Sequence, residues 1–314
     1  MTVVAGIDIG GTNTTGALVT DDHEVVERAK RTTPVDGPDA VIDMVIEMVK
    51  GFGDRPSAVG IGVPGPVSDG VVTRPPNLAH WPARVELGPR LSSALGLPVE
   101  VGNDANVGAL AEWVAGAGRG ARFLLGVWLG TGVGGGLILD GRPYTGAFGG
   151  AGEFGHMVVH QGGAQCGCGR RGCIEAYAGR AAMERSAAMA VAGGRGSTLF
   201  EIRDEKGKDR ITSSVWSAAL DDDDPLAIEL FDEAVDAVAT GVASVVNLLD
   251  LDRVVLGGGI TEKLGQDMAD RVADRARRGI LVPDYPLDVV VAELGDDSGI
   301  VGAAALARAA MVLS

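Results

Sequence analysis

The apolar positions of this chain fall in short runs interrupted by glycine. Val3-Val-Ala-Gly-Ile-Asp-Ile9, then Gly10-Gly11-Thr12, then Asn13-Thr-Thr-Gly-Ala-Leu-Val19 reads as strand, glycine turn, strand. Phe123-Leu-Leu-Gly-Val-Trp-Leu129, Gly130-Thr131-Gly132 and Val133-Gly-Gly-Gly-Leu-Ile-Leu139 repeat the plan 120 residues later. That displacement sets Gly126 on Gly6, Gly130 on Gly10 and Gly136 on Gly16. Two domains opening on the same hairpin predict a duplicated architecture, its cleft lined by two glycine turns. Further along, Leu97–Val101 reads as a short strand and Ala105–Ala115 as a helix. Arg253-Val-Val-Leu256 reads as a strand entering Gly257-Gly258-Gly259 with a helix after it, and residues 227–249 are apolar and helix-rich.

Glycine turns offer successive backbone N–H groups with no side chain in the way, and such concavities bind phosphates. Thr12 and Thr131 add hydroxyl donors. One hairpin of this kind is weak evidence, since glycine marks any tight hairpin; two in register are stronger. Neither turn is a Walker A loop. Gly130-x-Gly132-x-x-Gly135 runs into a strand-like Leu137-Ile-Leu, unlike a dinucleotide fingerprint. The repeats differ where Asp8 stands opposite Trp128. A carboxylate between Ile7 and Ile9 is costly to bury without a partner. Nucleotide-bound magnesium is the partner we expect, ahead of a cap on nearby backbone N–H groups. Backbone at Gly257, Gly258 and Gly259 can approach a flat ring, so an adenine or ribose contact is expected there.

Asn103-Asp104-Ala-Asn106 lies where strand passes into helix. Asn and Asp are ordinary N-caps, but one cap needs only one of them. Asp104 at a helix N-terminus, kept ionised by the helix dipole, can take a proton from a substrate hydroxyl, the general-base role in phosphoryl transfer to an alcohol.

Length of 314 residues suits two domains. A net charge of −15 argues against nucleic acid and anionic membrane as partners. The run Asp221–Asp224 reads as a solvated helix start. No signal peptide and no membrane-spanning run is read from the sequence, and without a disulfide framework a cytoplasmic location is expected. All three cysteines, Cys166, Cys168 and Cys173, sit in one eight-residue window beside His156 and His160, with Gly167, Gly169 and Gly172 to turn the chain. Three sulfurs and one imidazole fill a closed tetrahedral zinc site. A disulfide would leave an odd cysteine. We read structural zinc with His156 ahead of His160 as fourth ligand. Glu153, His156 and Glu175 bracket this loop and suit the vicinal hydroxyls of a sugar, the metal fixing the tautomer of His156.

Taken together, these motifs resemble the ROK family of sugar kinases. Asp8-Ile-Gly-Gly-Thr12 and Leu129-Gly-Thr-Gly-Val-Gly-Gly-Gly136 are similar to its phosphate motifs, and Asn103-Asp104-Ala-Asn106 to its catalytic segment. Glu153-Phe-Gly-His156 with Cys166-x-Cys168-Gly-x-x-Gly-Cys173-x-Glu175 is similar to its zinc signature, the most specific match. The resemblance implies an α/β, actin-like (ribonuclease H-like) fold of two α/β domains around a central cleft. The first would be 1–118 plus 300–314, with the closing helix at 300–313, and the second 119–299. It implies Asp104 as the base for the sugar 6-hydroxyl, and Gly65, Asn103, Glu153, His156 and Glu175 around the sugar. It implies zinc on His156, Cys166, Cys168 and Cys173, and ATP with magnesium at Asp8, Gly10, Gly11, Thr12, Gly130, Thr131 and Gly132, its nucleoside near Gly257–Gly259. It also implies a homodimer or homotetramer. Many family repressors carry a winged helix ahead of the first phosphate motif; with Asp8 at the eighth position none is expected here, which argues further against DNA. Polyphosphate-dependent members generally lack the cysteines, so ATP is the expected donor. Glucose is the expected sugar. Kinases for N-acetylglucosamine, N-acetylmannosamine, fructose or kanosamine are the first alternative, and a non-catalytic sugar sensor the second.

Overall fold

A computed structural model describes residues 2–282 and 284–313. It divides into two compact units: Met1–Gly120 with Gly136–Gly152 and Glu293–Ser314, and Ala121–Gly135 with Glu153–Ala292.

The first unit is built on strands β1 (Val3–Ile9), β2 (Asn13–Val19), β3 (Val25–Thr32), β4 (Pro56–Val63) and β7 (Val99–Asn103), in the order β3-β2-β1-β4-β7. The small ribbon β5 (Val67–Ser68) and β6 (Val71–Val72) lies apart. β1, β2 and β3 form an antiparallel meander, whereas β4 and β7 add in parallel. One face carries α1 (Pro38–Gly51) and α2 (Leu87–Leu95), whose Val41, Val45, Met48, Leu87 and Leu91 bury against Ile7, Ile9, Leu18 and Ile61. The opposite face carries α3 (Asp104–Ala115) and α11 (Ser298–Leu313), with Ala111, Ile300, Val301 and Ala304 against Val4, Ala17 and Ala58. Such near-continuous apolar strands are what a sheet covered on both faces requires.

Glycine sets how close α11 comes. A Cβ on Gly6 would stand 2.0 Å from the Ile300 carbonyl oxygen, and one on Gly60 1.7 Å from that of Ala303. Gly6 was legible as half of a repeated hairpin; its use is to let a helix backbone lie on the strand.

In the second sheet the order is β10-β9-β8-β11-β12, from β8 (Phe123–Leu129), β9 (Val133–Leu139), β10 (Arg142–Pro143), β11 (Arg253–Gly257) and β12 (Asp288–Val291). β11 runs parallel to β8 and β12. The second unit's helices are α4 (Glu175–Ala178), α5 (Arg180–Ala192), α6 (Leu199–Glu205), α7 (Ser213–Asp221), α8 (Pro225–Leu249), α9 (Gly259–Leu264) and α10 (Gln266–Arg277). The long α8 starts with Asp224 as cap and Pro225 in its first turn. Of the acidic run, then, only Asp224 starts a helix, and it is buried, not solvated. One Asp224 oxygen accepts from the Ala227 amide at 2.8 Å and the other from the Thr198 amide at 2.6 Å. Burial alone would raise its pKa; these amides outweigh it and hold the carboxyl below the usual range. Asp221 ends α7 instead. No helix of the described residues is long and apolar enough to cross a membrane.

Replacing Gly60 with alanine should cost about 2–3 kcal/mol or more, because overpacking against backbone has nowhere to relax. Gly51→Ala, where a Cβ meets nothing within 4 Å, is the control. Denaturant titration of the two variants measures the difference.

Candidate functional site

In the first unit the glycine turn joins β1 to β2. The Gly10 amide donates to the Asn13 carbonyl at 3.0 Å, closing the turn. Thr33, buried at the end of β3, holds the turn's other side: its amide donates to the Thr12 carbonyl at 2.9 Å and its hydroxyl to that of Gly10 at 2.7 Å. With carbonyls engaged from behind, the Gly11 and Thr12 amides are left without a partner among the described residues. The Gly10 amide itself is spent within the turn.

Asp8 is the last but one residue of β1, half-buried between the fully buried Ile7 and Ile9. Burial first, and the Asp104 charge second, push its pKa up from 3.8 to about 6. No hydrogen bond reaches its carboxylate among the described residues, so it caps no backbone N–H. Gly299, at the start of α11, presses on it: a Cβ there would stand 2.6 Å from the Asp8 carboxyl carbon.

Strand β7 runs through Asn103 and α3 begins at once with Asp104, so strand and helix meet without a loop. Asn103 is the cap. Its Oδ1 accepts from the Ala105 amide at 3.0 Å and the Asn106 amide at 3.1 Å. Its Nδ2 donates to the Gly65 carbonyl at 3.2 Å and to Asp104 Oδ1 at 3.0 Å. All four hydrogen-bonding positions of an amide side chain are thereby used. Asp104 shares in the cap through Oδ1 alone. One of its oxygens is fixed by Asn103 and by the Ala105 amide at 2.8 Å, and Oδ2 carries no hydrogen bond among the described residues. Desolvation raises its pKa, against the lowering by the Ala105 amide, its own amide and Asn103. The helix start therefore tempers a carboxylate made more basic by its surroundings, and such a group accepts a proton well. Gly65, at φ 91°, lies with its Cα against Thr73 and Pro75, where a side chain would not fit.

In the second unit the corresponding turn joins β8 to β9. The Gly130 amide donates to the Gly132 carbonyl at 3.0 Å. The start of α5 takes the place of Thr33: the Arg180 and Ala181 amides donate to the Gly130 and Thr131 carbonyls, each at 3.1 Å. Glu175, at the start of α4, accepts from the Val133 amide at 3.0 Å. Its other oxygen lies 3.6 Å from Cys166 Sγ. That carboxylate thus links the cysteine loop to the glycine turn. Arg180 Nη2 reaches the Thr131 hydroxyl at 3.3 Å, a residue the sequence reading passed over because a lone arginine at a helix start carries no motif. Gly258, at φ 92°, lies against Leu129, where a Cβ would stand 2.4 Å from its carbonyl oxygen, and Gly259 opens α9. A Cβ on Gly257 would come 3.3 Å from Trp128 Nε1, so the residue opposite Asp8 in the repeat packs on the third glycine stretch.

The ligand atoms of His156, Cys166, Cys168 and Cys173 all lie within 4.8 Å of one another. Cys168 and Cys173 sulfurs are 3.8 Å apart, and Cys166 Sγ is 3.9 Å from His156 Nδ1. A tetrahedral ion with bonds of about 2.3 Å places its sulfurs about 3.8 Å apart, so the donor set fits zinc. Three thiolates this close also need a cation between them. His160 stands outside the group, stacked on Tyr177 with its Nδ1 3.4 Å from that hydroxyl. Gly169 and Gly172 have φ 88° and 79°, whereas a Cβ on Gly167 would meet nothing within 4 Å. Two of the three glycines are required by the turn. Phe154 and Ile174, which flank the loop's two ends, pack into α8 at Gly241, where a Cβ would lie 2.4 Å from Ile174. Glu153 precedes that anchor and is exposed, without a hydrogen bond to its carboxylate among the described residues.

The fold is shared with solved structures. The ROK hexokinase of Thermus thermophilus matches with a TM-score of 0.84 and 31% identity, over 99% of this chain and 100% of that one. A ROK family glucokinase from Streptomyces griseus, solved with glucose and AMPPNP, matches with a TM-score of 0.81 and 33% identity over 98% and 99%. These are actin-like α/β kinases. The ROK family model matches residues 4–310, and the chain belongs to the ROK family. The glucokinase of Streptomyces coelicolor is 34% identical over 315 residues, 98% of each chain.

Asp8 gives a pH-dependent test. Its folded pKa of about 6 lies above the ordinary 3.8, so ionisation penalises the folded state. That penalty is absent below pH 3.8, grows as the pH rises through 6 and is complete above it. Asp8→Asn removes it. Without metal or nucleotide, the variant should be more stable than the parent by on the order of 2–3 kcal/mol at pH 8, with the gain gone near pH 4, as read by thermal unfolding across pH.

Proposed function

We propose that this chain is an ATP-dependent hexokinase of the glucokinase type, transferring a phosphoryl group to the 6-hydroxyl of a hexose, glucose first among them. The observation that carries the reading is the division of labour at the start of α3. Asn103 takes the Asn106 amide and shares that of Ala105 with Asp104 Oδ1, leaving Asp104 with a raised pKa and a free Oδ2. A strand-to-helix junction capped by an amide needs no carboxylate beside it, whereas a general base is a carboxylate in that place. The relatives' names supply the reaction class.

Asp104 Oδ2 takes the proton of the sugar hydroxyl as its oxygen attacks the terminal phosphorus of ATP, the bond from that phosphorus to the bridging oxygen breaks, and ADP leaves with that oxygen. Asn103 keeps Asp104 in place, and Gly65 lets the chain pass close beneath the ring. Glu153, His156 and Glu175 hold the remaining hydroxyls. The amides of Gly11, Thr12, Thr131 and Gly132 receive phosphate oxygens, and Gly258 and Gly259 face the nucleoside. Asp8 would hold magnesium, which would supply neutralising charge on the phosphates. His156 Nδ1 and the three cysteines would hold zinc, which would supply rigidity and leave Nε2 to donate to the sugar.

Release of ADP in a coupled assay, with magnesium and ATP across a panel of hexoses and amino sugars, tests the reading. Highest turnover with glucose supports it; turnover confined to another sugar replaces the substrate and keeps the mechanism. No turnover from folded, zinc-loaded protein with any of them sinks it. Asp104→Asn should lower kcat by at least about a thousandfold with glucose binding kept, as expected for loss of a base. Cys168→Ser should abolish zinc binding by elemental analysis and weaken glucose binding at the same time. Undiminished glucose affinity in the zinc-free variant would separate the metal from the sugar.

A further inference from the structure

A protein with net charge −15 that binds a nucleoside triphosphate must gather positive charge where the phosphates lie. The first glycine turn adjoins two carboxylates, Asp8 and Asp104, and no cation of its own sequence. At the second turn a cation is present in a form that points to a ligand.

Arg180 stands at the first position of α5. Its own amide is spent on the Gly130 carbonyl. Its guanidinium spans two hydroxyls: Nη2 to Thr131 Oγ1 at 3.3 Å and Nη1 to Ser213 Oγ at 3.2 Å. Ser213 in turn abuts the third glycine stretch, since a Cβ on Gly259 would stand 2.8 Å from Ser213 Oγ and 4.0 Å from Arg180 Nη1. The guanidinium therefore sits between the two glycine segments of the second unit that present bare backbone.

Structural arginines are normally matched by a carboxylate, as Arg210 is by Glu184 at 3.2 Å. Among the described residues no carboxylate lies within ion-pair distance of Arg180. Two of its five N–H groups go to hydroxyls, which bring no charge, and three have no partner among the described residues. Partial burial and the nearby Arg210 both weaken its hold on its proton, with Glu184 opposing. The charge is thus desolvated in part, under-compensated, and fixed in place by groups too weak to justify its cost.

We propose that Arg180 is a phosphate-binding residue of the nucleotide site, its free N–H groups taking phosphate oxygens of the nucleoside polyphosphate while Thr131 and Ser213 fix its plane. Guanidinium and phosphate match as bidentate partners. The assignment rests on the reading of Gly130–Gly132 as a nucleotide-phosphate turn. The competing role is a clamp between the turn and α7 with no part in binding charge.

Calorimetric titration of the full chain with ADP, adenosine and glucose separates these. Loss of a charged hydrogen bond predicts that Arg180→Gln weakens ADP about 10- to 100-fold, leaves adenosine and glucose within about twofold, and flattens the salt dependence of ADP binding. Arg180→Lys, which keeps the charge without the fork, should fall between, and decides the matter if the glutamine variant does not fold. ADP affinity unchanged in either folded variant overturns the proposal, as does an equal loss for adenosine and ADP, the mark of a clamp. Parent protein that binds glucose and no ADP overturns the nucleotide reading itself, a result distinct from both.

Discussion

Both glycine turns depend on one constraint: their carbonyls are held from behind. A peptide unit cannot turn its carbonyl one way without turning the next N–H the other, so engaging the carbonyls aims the amides. In the first turn the Thr33 hydroxyl, donating to the Gly10 carbonyl, aims the Gly11 amide, and the Thr33 amide anchors the Thr12 carbonyl. The first two amides of α5 do it for the second. The sequence repeat is thus one of product rather than of means. Glycine makes the turn possible, but a threonine some twenty residues on, or a helix some fifty on, decides which way it faces.

Electrostatics divides the units further. The first carries two carboxylates that raise each other's cost, Asp8 held near a pKa of 6 by burial and by Asp104. The second carries a guanidinium with no carboxylate partner among the described residues and a loop of three sulfurs about one imidazole. Each unit alone is frustrated, one by negative charge, the other by an unmatched cation and crowded thiols. Strain of this kind is what a binding site stores in the absence of its ligand.

Local features were legible in the sequence. Both hairpins, the strand into Gly257 and the helix beginning beside Asn103 follow from apolar periodicity and glycine placement, which act over a few residues. The cysteine window was legible because thiolate chemistry leaves few alternatives. The choice of His156 over His160 was open on spacing alone and is made by Tyr177, which takes His160 out of the group. Partners distant in sequence were not legible. Nothing near Thr33 marks it as the back of a turn, and nothing in Gly241 foretells that Phe154 and Ile174 will pack there. Asp224 read as one of four solvated acids, because its burial depends on Thr198, twenty-six residues away. Arg180 escaped notice for the same reason, since its hydroxyl partners are at positions 131 and 213.

The closeness of α11 to the first sheet has a consequence for synthesis on the ribosome. The strand face bearing Gly6 and Gly60 is shaped to receive the backbone of Ile300 and Ala303. At about 5–20 residues per second, the interval between the emergence of β4 and that of α11 lasts on the order of ten to fifty seconds. Throughout it the first unit is an unfinished sheet whose α11 face is covered by α3 alone, while the whole of the second unit is made and can fold. The chain therefore matures from the middle outward, and its earliest strands are the ones that wait longest for protection from aggregation.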